Sequence, residues 1–467
     1  MTVGVAAARL LAARRALARA AAVLADPAPG WRGPAAEQAA SARTALLRAH
    51  AVLLDDLDGV LTALGVAAVA LAADTPPLVV DAALAAALDA AGPAPPGTSP
   101  MSVPGTVPGL DPEAVARWWD GLGPDARAAL ERDRPALVGG LDGVPAAVRD
   151  RANRRVLAAA QEQARAEETV TRDRLARTRD PAELARIGCE LHEVRTRLAR
   201  LGAVAAAVDR PGRALLDLEV ERDPADGQGV RAAVARGDVD TAGHVGVYTP
   251  GFTTGVDELP GRLEELDALA DAAGPGTAAV AWYGYDAPQV GELADPDRSV
   301  LGRAAADEGG RRLASFLDGI GAARRDDVHL TAIGHSYGSV VTAAATAPGG
   351  ASGVDDVVLL GSPGVGDPPR RAWVVEAAGD PVADAGWFGP DPNRAPGVTG
   401  LSAREVALPD GRVLAASRGH GEYLTPGTTS AANVAAVVGG RPQDAVLDRG
   451  VGAGDRLRRL AGRLLGR

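Results

Sequence analysis

Lysine is absent from this 467-residue sequence, so arginine supplies all 49 positive side-chain charges. The net charge of −11 disfavours binding to nucleic acid, because phosphate contacts depend on clustered positive charge. The lone cysteine, Cys189, excludes an intramolecular disulfide, and no cysteine or histidine cluster has the spacing of a zinc site. We therefore expect no nucleic acid partner, no metal and no other cofactor.

A long hydrophobic run is also lacking. The longest uncharged apolar stretch, Gly59 to Ala73, is shorter than the roughly 20 residues that a membrane-spanning helix needs. The Ala- and Leu-rich start, Met1 to Ala25, is interrupted by arginines, which indicates an amphipathic helix rather than a signal peptide. We expect no integral membrane span and a cytoplasmic location by default, with export without a signal peptide left open.

The most informative stretch that is present runs from a strand into a helix. An apolar, β-favouring run, Val328 to Ile333, leads into Gly334 to Gly338 (G-H-S-Y-G), and a small-residue run with helical character follows from Ser339 to Ala345. The pattern G-x-S-x-G in this setting is the nucleophile elbow, where the glycines let neighbouring backbone pass close to the serine. The helix aims its first N–H groups at a developing oxyanion. The pattern predicts Ser336 as a nucleophile and the Tyr337 N–H as an oxyanion donor.

Such a serine needs a histidine base and an acid, in the chain order serine, acid, histidine. Only one histidine, His420, follows Ser336, so it is the predicted base. Asp380 comes directly after an apolar run, at the sheet edge where catalytic residues of parallel sheets gather. We predict it as the acid, although an aspartate before a proline can also simply cap a helical turn. Asp384 is the alternative acid one helical turn later, and Asp367 comes one strand too early.

A second oxyanion donor is expected on the loop after an earlier strand. The loop Thr249 to Thr253 has the sequence T-P-G-F-T and offers the backbone N–H of Phe252, which is compatible with a plain glycine turn. We expect His335 to pack or hydrogen-bond beneath the elbow, because its side chain should diverge from that of Ser336. Tyr283 to Pro288 could line a pocket at the same edge or form a β-turn.

The second half of the chain alternates short apolar runs with helices. This alternation predicts an α/β class with a mostly parallel sheet that is flanked on both faces by helices. Predicted strands cover Ala214 to Val220, His244 to Thr249, Thr277 to Tyr283, Val328 to Ile333, Val354 to Leu360, Ala372 to Ala378 and Arg412 to Ala416, and predicted helices cover Gly261 to Ala273 and Ala304 to Leu317.

The first half is helical by pattern, and Arg151 to Ala207 has the Arg/Glu pairing of one or two long helices. We predict the following organisation: a helical hairpin region over 1–91, a Pro/Gly-rich linker over 92–110, a helical segment over 111–210 that packs on or caps the next domain, a catalytic domain over 211–445, and an Arg-rich helix or tail over 446–467.

Several of these motifs, in this order, resemble an actinobacterial alpha/beta-hydrolase family that is catalogued as a domain of unknown function. The resemblance covers about Val115 to Leu424. It is carried by W-Y-G-Y-D-A-P from Trp282, G-H-S-Y-G from Gly334, L-G-S-P-G from Leu360, G-D-P-V from Gly379 and H-G-E-Y-L from His420. The family usually has a small or aliphatic residue where Phe252 stands, a departure that concerns pocket shape rather than the backbone donor.

The resemblance implies an alpha/beta-hydrolase fold and a serine hydrolase, and other proteins of this fold suggest small-molecule carboxylic esters or lipid-like acyl compounds as substrates. An acyl-enzyme intermediate would form on the serine. A competing interpretation starts from the turn at Trp31 to Gly33, which resembles the W-x-G turn of small helical-hairpin proteins of type VII secretion. The chain would then be a helical interaction or secretion-related protein with a regulatory or inactive hydrolase domain and a helical protein partner. The N-terminal helices could also act as a lid.

Overall fold

The computed structural model describes residues 111–221, 229–288, 302–366, 369, 371–383, 388–389 and 392–448. The predicted hairpin over 1–91 with its W-x-G turn and the predicted linker over 92–110 lie outside these residues. So do most of the predicted C-terminal tail, Asp367 and Asp384. The predicted domain boundaries therefore stay predictions.

The central element is an eight-stranded sheet. Its strands are β1 (Arg213–Val220), β2 (Val230–Arg236), β3 (His244–Thr249), β4 (Thr277–Tyr283), β5 (His329–His335), β6 (Asp356–Leu360), β7 (Ala372–Val375) and β8 (Val398–Leu401). They lie in the order β1-β2-β4-β3-β5-β6-β7-β8. Strand β2 runs antiparallel to both its neighbours, and every pairing from β4 to β8 is parallel. The predicted mostly parallel sheet is confirmed.

Helices cover both faces of this sheet. They are α1 (Pro112–Gly121), α2 (Pro124–Asp133), α3 (Pro135–Gly139), α4 (Ala146–Arg177), α5 (Pro181–Val208), α6 (Leu259–Ala273), α7 (Ala304–Ala322), α8 (Tyr337–Ala345) and α9 (Thr429–Val438). Alternate strand residues point to opposite faces, so Ala281 joins a core with α5, α6 and α9, whereas Val280 joins a second core with α7 and α8. The fold class predicted from the alternating pattern is confirmed.

The two long helices meet the sheet at its β1 edge. Asp180 accepts the N–H of Glu183 at 2.9 Å and starts α5, so the predicted Arg/Glu-rich stretch forms two helices. On α4, Asp150 accepts the N–H of Leu215 at 2.6 Å, and Asn153 donates to the Leu215 carbonyl at 3.1 Å. A register shift beside Leu215 disrupts its ladder pairing. The helices therefore cover an edge strand that would otherwise expose backbone groups.

Some elements differ from the sequence-based prediction. Strand β2 was not predicted because its sequence, V-R-A-A-V-A-R, is rich in alanine, and its strand conformation depends on pairing with β1 and β4. Strand β8 and helix α9 were also not predicted. The predicted strand Arg412 to Ala416 shortens to β10 (Val413–Leu414), which pairs with β9 (Val406–Ala407) in a separate hairpin. Within the described residues, no helix is both long and apolar enough to cross a membrane.

Candidate active site

Ser336 lies on a strained turn between β5 and α8. Its backbone dihedrals are φ 56° and ψ −129°, a left-handed conformation that is unusual for a residue other than glycine. Its N–H donates to the carbonyl of Leu360 at 2.9 Å, and its side chain is buried but reachable, with 8% of the residue exposed. Such strain is typical of functional positions that the surrounding fold holds in place. The turn has the strand, serine and helix order of a nucleophile elbow.

The loop after β3 passes directly against this turn. A Cβ atom added to Gly338 would lie 2.3 Å from the carbonyl oxygen of Thr249 and 2.4 Å from that of Pro250. A Cβ atom added to Gly251 would lie 2.6 Å from the Cβ of Ser336. Both positions therefore need glycine, because no side chain fits between the two backbone segments. This close approach brings the segment that contains Phe252 beside Ser336.

Asp380 and His420 form a hydrogen-bonded pair. Nδ1 of His420 lies 3.0 Å from Oδ1 and 2.9 Å from Oδ2 of Asp380. The carboxylate is buried, and its Oδ1 also accepts the backbone N–H groups of Val382 at 2.9 Å and Ala383 at 3.3 Å. Asp380 thus caps a turn, as the alternative interpretation held, and also contacts the predicted base. The contact leaves Nε2 of His420 as the nitrogen available for proton transfer.

A residue to which sequence analysis assigned no role completes the surroundings of Asp380. The hydroxyl of Tyr423 donates to Oδ2 of Asp380 at 2.5 Å and accepts the N–H of Ala377 at 3.0 Å. Burial acts to raise the pKa of Asp380, but the bonds from His420 and Tyr423 outweigh it and hold the pKa below its usual value. Burial, together with the contact to Asp380, raises the pKa of Tyr423, so its phenol remains a donor. The one available signal was its place in H-G-E-Y-L.

His335 links the turn that carries the predicted nucleophile to the loop that carries the predicted base. Nε2 of His335 lies 2.7 Å from the carbonyl oxygen of His420, and the two ring centroids are 4.7 Å apart. The hydroxyl of Ser336 itself forms no hydrogen bond with any other described residue. Catalytic hydrogen bonds are often long before substrate binds, and tighten only in the complex. In the structure, His420 is therefore hydrogen-bonded to Asp380, and its loop is hydrogen-bonded to the elbow through His335. The hydroxyl of Ser336 is not hydrogen-bonded to His420.

The two predicted oxyanion donors lie on the two segments that meet at the elbow, since Tyr337 follows Ser336 and Phe252 follows Gly251. Tyr337 begins α8, and its N–H lies 3.0 Å from the position that a Cβ atom on Gly251 would occupy. In the described part of the chain, no acceptor takes the N–H of Tyr337 or that of Phe252. Two unpaired N–H groups, one of them at the positive end of a helix, can stabilise a negative oxygen above the serine.

The stretch from Tyr283 to Pro288 lies against the loop after β3. Tyr285 donates from its hydroxyl to the Pro250 carbonyl at 2.7 Å. A small cavity of about 10 Å³, which is room for about one water molecule, lies here, and its lining includes Val230, Pro250, Val256, Tyr283 and Ala287. No group of three or more metal-ligating side chains occurs among the residues that the structure describes.

Comparison with known proteins gives relatives of unknown function. A family model described as alpha/beta hydrolase matches residues 223–390, which include Ser336 and Asp380 but not His420. The uncharacterized protein Rv0963c of Mycobacterium tuberculosis is 35% identical over 224 residues, which cover 43% of this chain and 80% of that protein. The uncharacterized protein Rv2079 of the same organism is 34% identical over 278 residues, which cover 54% of this chain and 39% of that protein.

Two solved structures are similar at much lower identity. An esterase from Pyrobaculum calidifontis is 15% identical with a TM-score of 0.33, and the match covers 54% of this chain and 92% of the esterase. The esterase LipW from Mycobacterium marinum is 16% identical with a TM-score of 0.31, over 54% of this chain and 86% of LipW.

Proposed function

This chain belongs to the alpha/beta-hydrolase family, and from that premise we propose that it is a serine hydrolase that cleaves carboxylic esters or lipid-like acyl substrates. The observations that support this most strongly are the strained backbone of Ser336 and the hydrogen bond between the buried Asp380 and the partly exposed His420. A serine, a histidine and an acid in this chain order are the parts that acyl transfer requires. A cytoplasmic location and a helical partner for the N-terminal region stay predictions.

In the proposed reaction, Nε2 of His420 takes the proton of Ser336 as the serine oxygen attacks the ester carbonyl carbon. Asp380 holds the Nδ1–H of His420 and stabilises the imidazolium that forms. The N–H groups of Phe252 and Tyr337 donate to the oxyanion of the tetrahedral intermediate.

Three further proton transfers by the same histidine complete the turnover. The imidazolium of His420 gives its proton to the departing alcohol, which leaves the acyl group on Ser336. Nε2 then takes a proton from a water molecule as that water attacks the acyl carbon. The intermediate collapses, the serine oxygen regains the proton from His420, and the carboxylic acid is released.

The test is labelling of the full-length protein with a fluorophosphonate probe, followed by hydrolysis of p-nitrophenyl esters of graded chain length. We expect Ser336→Ala to abolish labelling and His420→Ala to reduce it strongly. Ser352→Ala, which changes an exposed serine of another loop, is the matched control and should label as the wild type does. A folded wild type that neither labels nor hydrolyses any ester would contradict the proposal and favour a regulatory or inactive hydrolase domain.

A further inference from the structure

Two consecutive carbonyl groups of the loop after β3 each accept a hydrogen bond from a hydroxyl group, one from the stretch after β4 and one from the loop itself. The hydroxyl of Tyr285 donates to the carbonyl of Pro250 at 2.7 Å. The hydroxyl of Thr254 donates to the carbonyl of Gly251 at 2.6 Å. The second bond falls on the peptide group that joins Gly251 to Phe252, which is the group that carries the Phe252 N–H.

Because a peptide group is rigid, this hydrogen bond also sets the direction of the Phe252 N–H. A trans peptide is planar, and its C=O and N–H point in opposite directions. The described chain contains no cis peptide bond. Because Thr254 fixes the direction of the Gly251 carbonyl, it also fixes the direction of the Phe252 N–H, which points the opposite way. That N–H meets no acceptor in the described residues.

This peptide would have considerable freedom without such a bond. Glycine at position 251 allows either sign of φ, and a side chain there is excluded by the 2.6 Å approach to the Cβ of Ser336. On the other side of Phe252, Thr253 has a φ of 64°, which a β-branched residue rarely adopts. The local sequence therefore does not favour this loop conformation on its own, and bonds from other side chains must maintain it.

We propose that Thr254 is a positioning residue of the oxyanion hole, whose hydroxyl holds the Gly251–Phe252 peptide so that the Phe252 N–H faces the oxyanion. Tyr285 holds the preceding peptide in the same way. The proposal rests on the proposed serine hydrolase function and adds to it the group that orients one donor. Electrostatic stabilisation of an oxyanion depends on donors that are oriented before the reaction begins.

The test compares Thr254→Val, which keeps the shape and removes the hydroxyl, with Thr254→Ser, which keeps the hydroxyl. Thr169→Val is the matched control, because it removes a hydroxyl bond of 2.9 Å to a carbonyl on the exposed side of α4. Removal of one oxyanion donor lowers kcat by about 100- to 1,000-fold in other enzymes, so we expect misorientation in Thr254→Val to lower kcat by about 10- to 100-fold. KM should stay within about twofold, and Thr254→Ser and Thr169→Val should remain within about threefold of the wild-type kcat.

A second readout is the inhibition constant of a trifluoromethyl ketone, whose tetrahedral adduct places an oxyanion in the hole. In Thr254→Val this inhibition constant should rise by about the same factor by which kcat falls. Weaker substrate binding alone would raise KM and would not produce this parallel. If the added methyl group prevents folding, Thr254→Ala removes the hydroxyl without it and gives the same comparison.

The outcomes separate this proposal from the one on which it rests. A wild type that does not label or hydrolyse esters would overturn both. An active wild type with an unchanged Thr254→Val would overturn the positioning role alone. Equal losses in Thr254→Val and Thr254→Ser, or a rise in KM without a fall in kcat, would show a packing role and overturn it as well.

Discussion

The ring of His335, the residue before the proposed nucleophile, hydrogen-bonds through Nε2 to the backbone carbonyl of His420, the proposed base, at 2.7 Å. A carbonyl can only accept, so Nε2 carries the proton and donates. Burial first, and the neighbouring His420 second, lower the pKa of His335 to about 3. The elbow and the histidine loop are therefore joined by an imidazole that is neutral near pH 7.

His335 should make the protein less stable in acid. The unfolded chain takes up a proton on this residue near pH 6.5, whereas the folded chain resists it until about pH 3. Its stabilising contribution is therefore fully present above about pH 6.5 and is lost as the pH falls toward 3, by up to ~1.4 kcal/mol per pH unit. We expect His335→Gln, whose amide can still donate but does not titrate, to weaken this dependence.

The measurement is the free energy of unfolding in urea at several pH values between 7 and 4, for wild type and His335→Gln. His192→Gln removes an exposed imidazole from α5 and serves as the control. Identical pH dependence in wild type and His335→Gln would show that His335 does not stay neutral in the folded protein.

Tyr423→Phe should affect stability and catalysis together. The change removes a donor from Asp380 and leaves the N–H of Ala377 without its acceptor in the buried site. Loss of a buried hydrogen bond of this kind costs ~1–3 kcal/mol. The pKa of Asp380 should rise toward its usual value, and its carboxylate loses a contact that holds it in position against His420, so we expect kcat to fall by about 3- to 10-fold.

A tyrosine of the same core provides the control for that change. The hydroxyl of Tyr248 is buried and has no hydrogen-bond partner in the described part of the chain. Tyr248→Phe should therefore leave stability unchanged or raise it, because an unsatisfied polar group is removed. The measurements are the thermal unfolding midpoint and the kcat for ester hydrolysis of Tyr423→Phe and Tyr248→Phe. Equal effects at the two positions would refute the proposed role of Tyr423.

Local sequence and chain order were enough to predict the elbow and the parallel sheet. Gly334 to Gly338 run from the end of β5 into the start of α8, and both elements form as predicted. The order of the chain identified His420 and Asp380 as the pair now seen in contact. The bond from Tyr423 to Asp380 could not be predicted, because it depends on which loops meet at the sheet edge. The bond of Thr254 is local, but it depends on the unusual backbone conformation of Thr253, which the residue type does not indicate. Strand β2 was missed for a similar reason: its alanines form a strand only between two partner strands.

The elbow glycine Gly338 should tolerate no side chain. A Cβ atom there would meet the carbonyl oxygens of Thr249 and Pro250 at 2.3 and 2.4 Å, and backbone atoms cannot rotate away as a side chain could. The elbow or the loop after β3 must then shift, and these two segments carry the proposed oxyanion donors. We expect Gly338→Ala to lower kcat by about 100-fold or more and to destabilise the fold, since a shift of about 1 Å at such a site can cost 100-fold.

Gly188→Ala is the matched control for this substitution. Gly188 lies within α5, and a Cβ atom there would meet nothing within 4 Å. Alanine favours a helix interior over glycine by ~0.8–1 kcal/mol, so this variant should be slightly more stable and hydrolyse esters at the wild-type rate. Circular dichroism melting curves and kcat for both variants test the contrast. Wild-type turnover in a folded Gly338→Ala protein would mean that the close contact between loop and elbow is not required for the reaction.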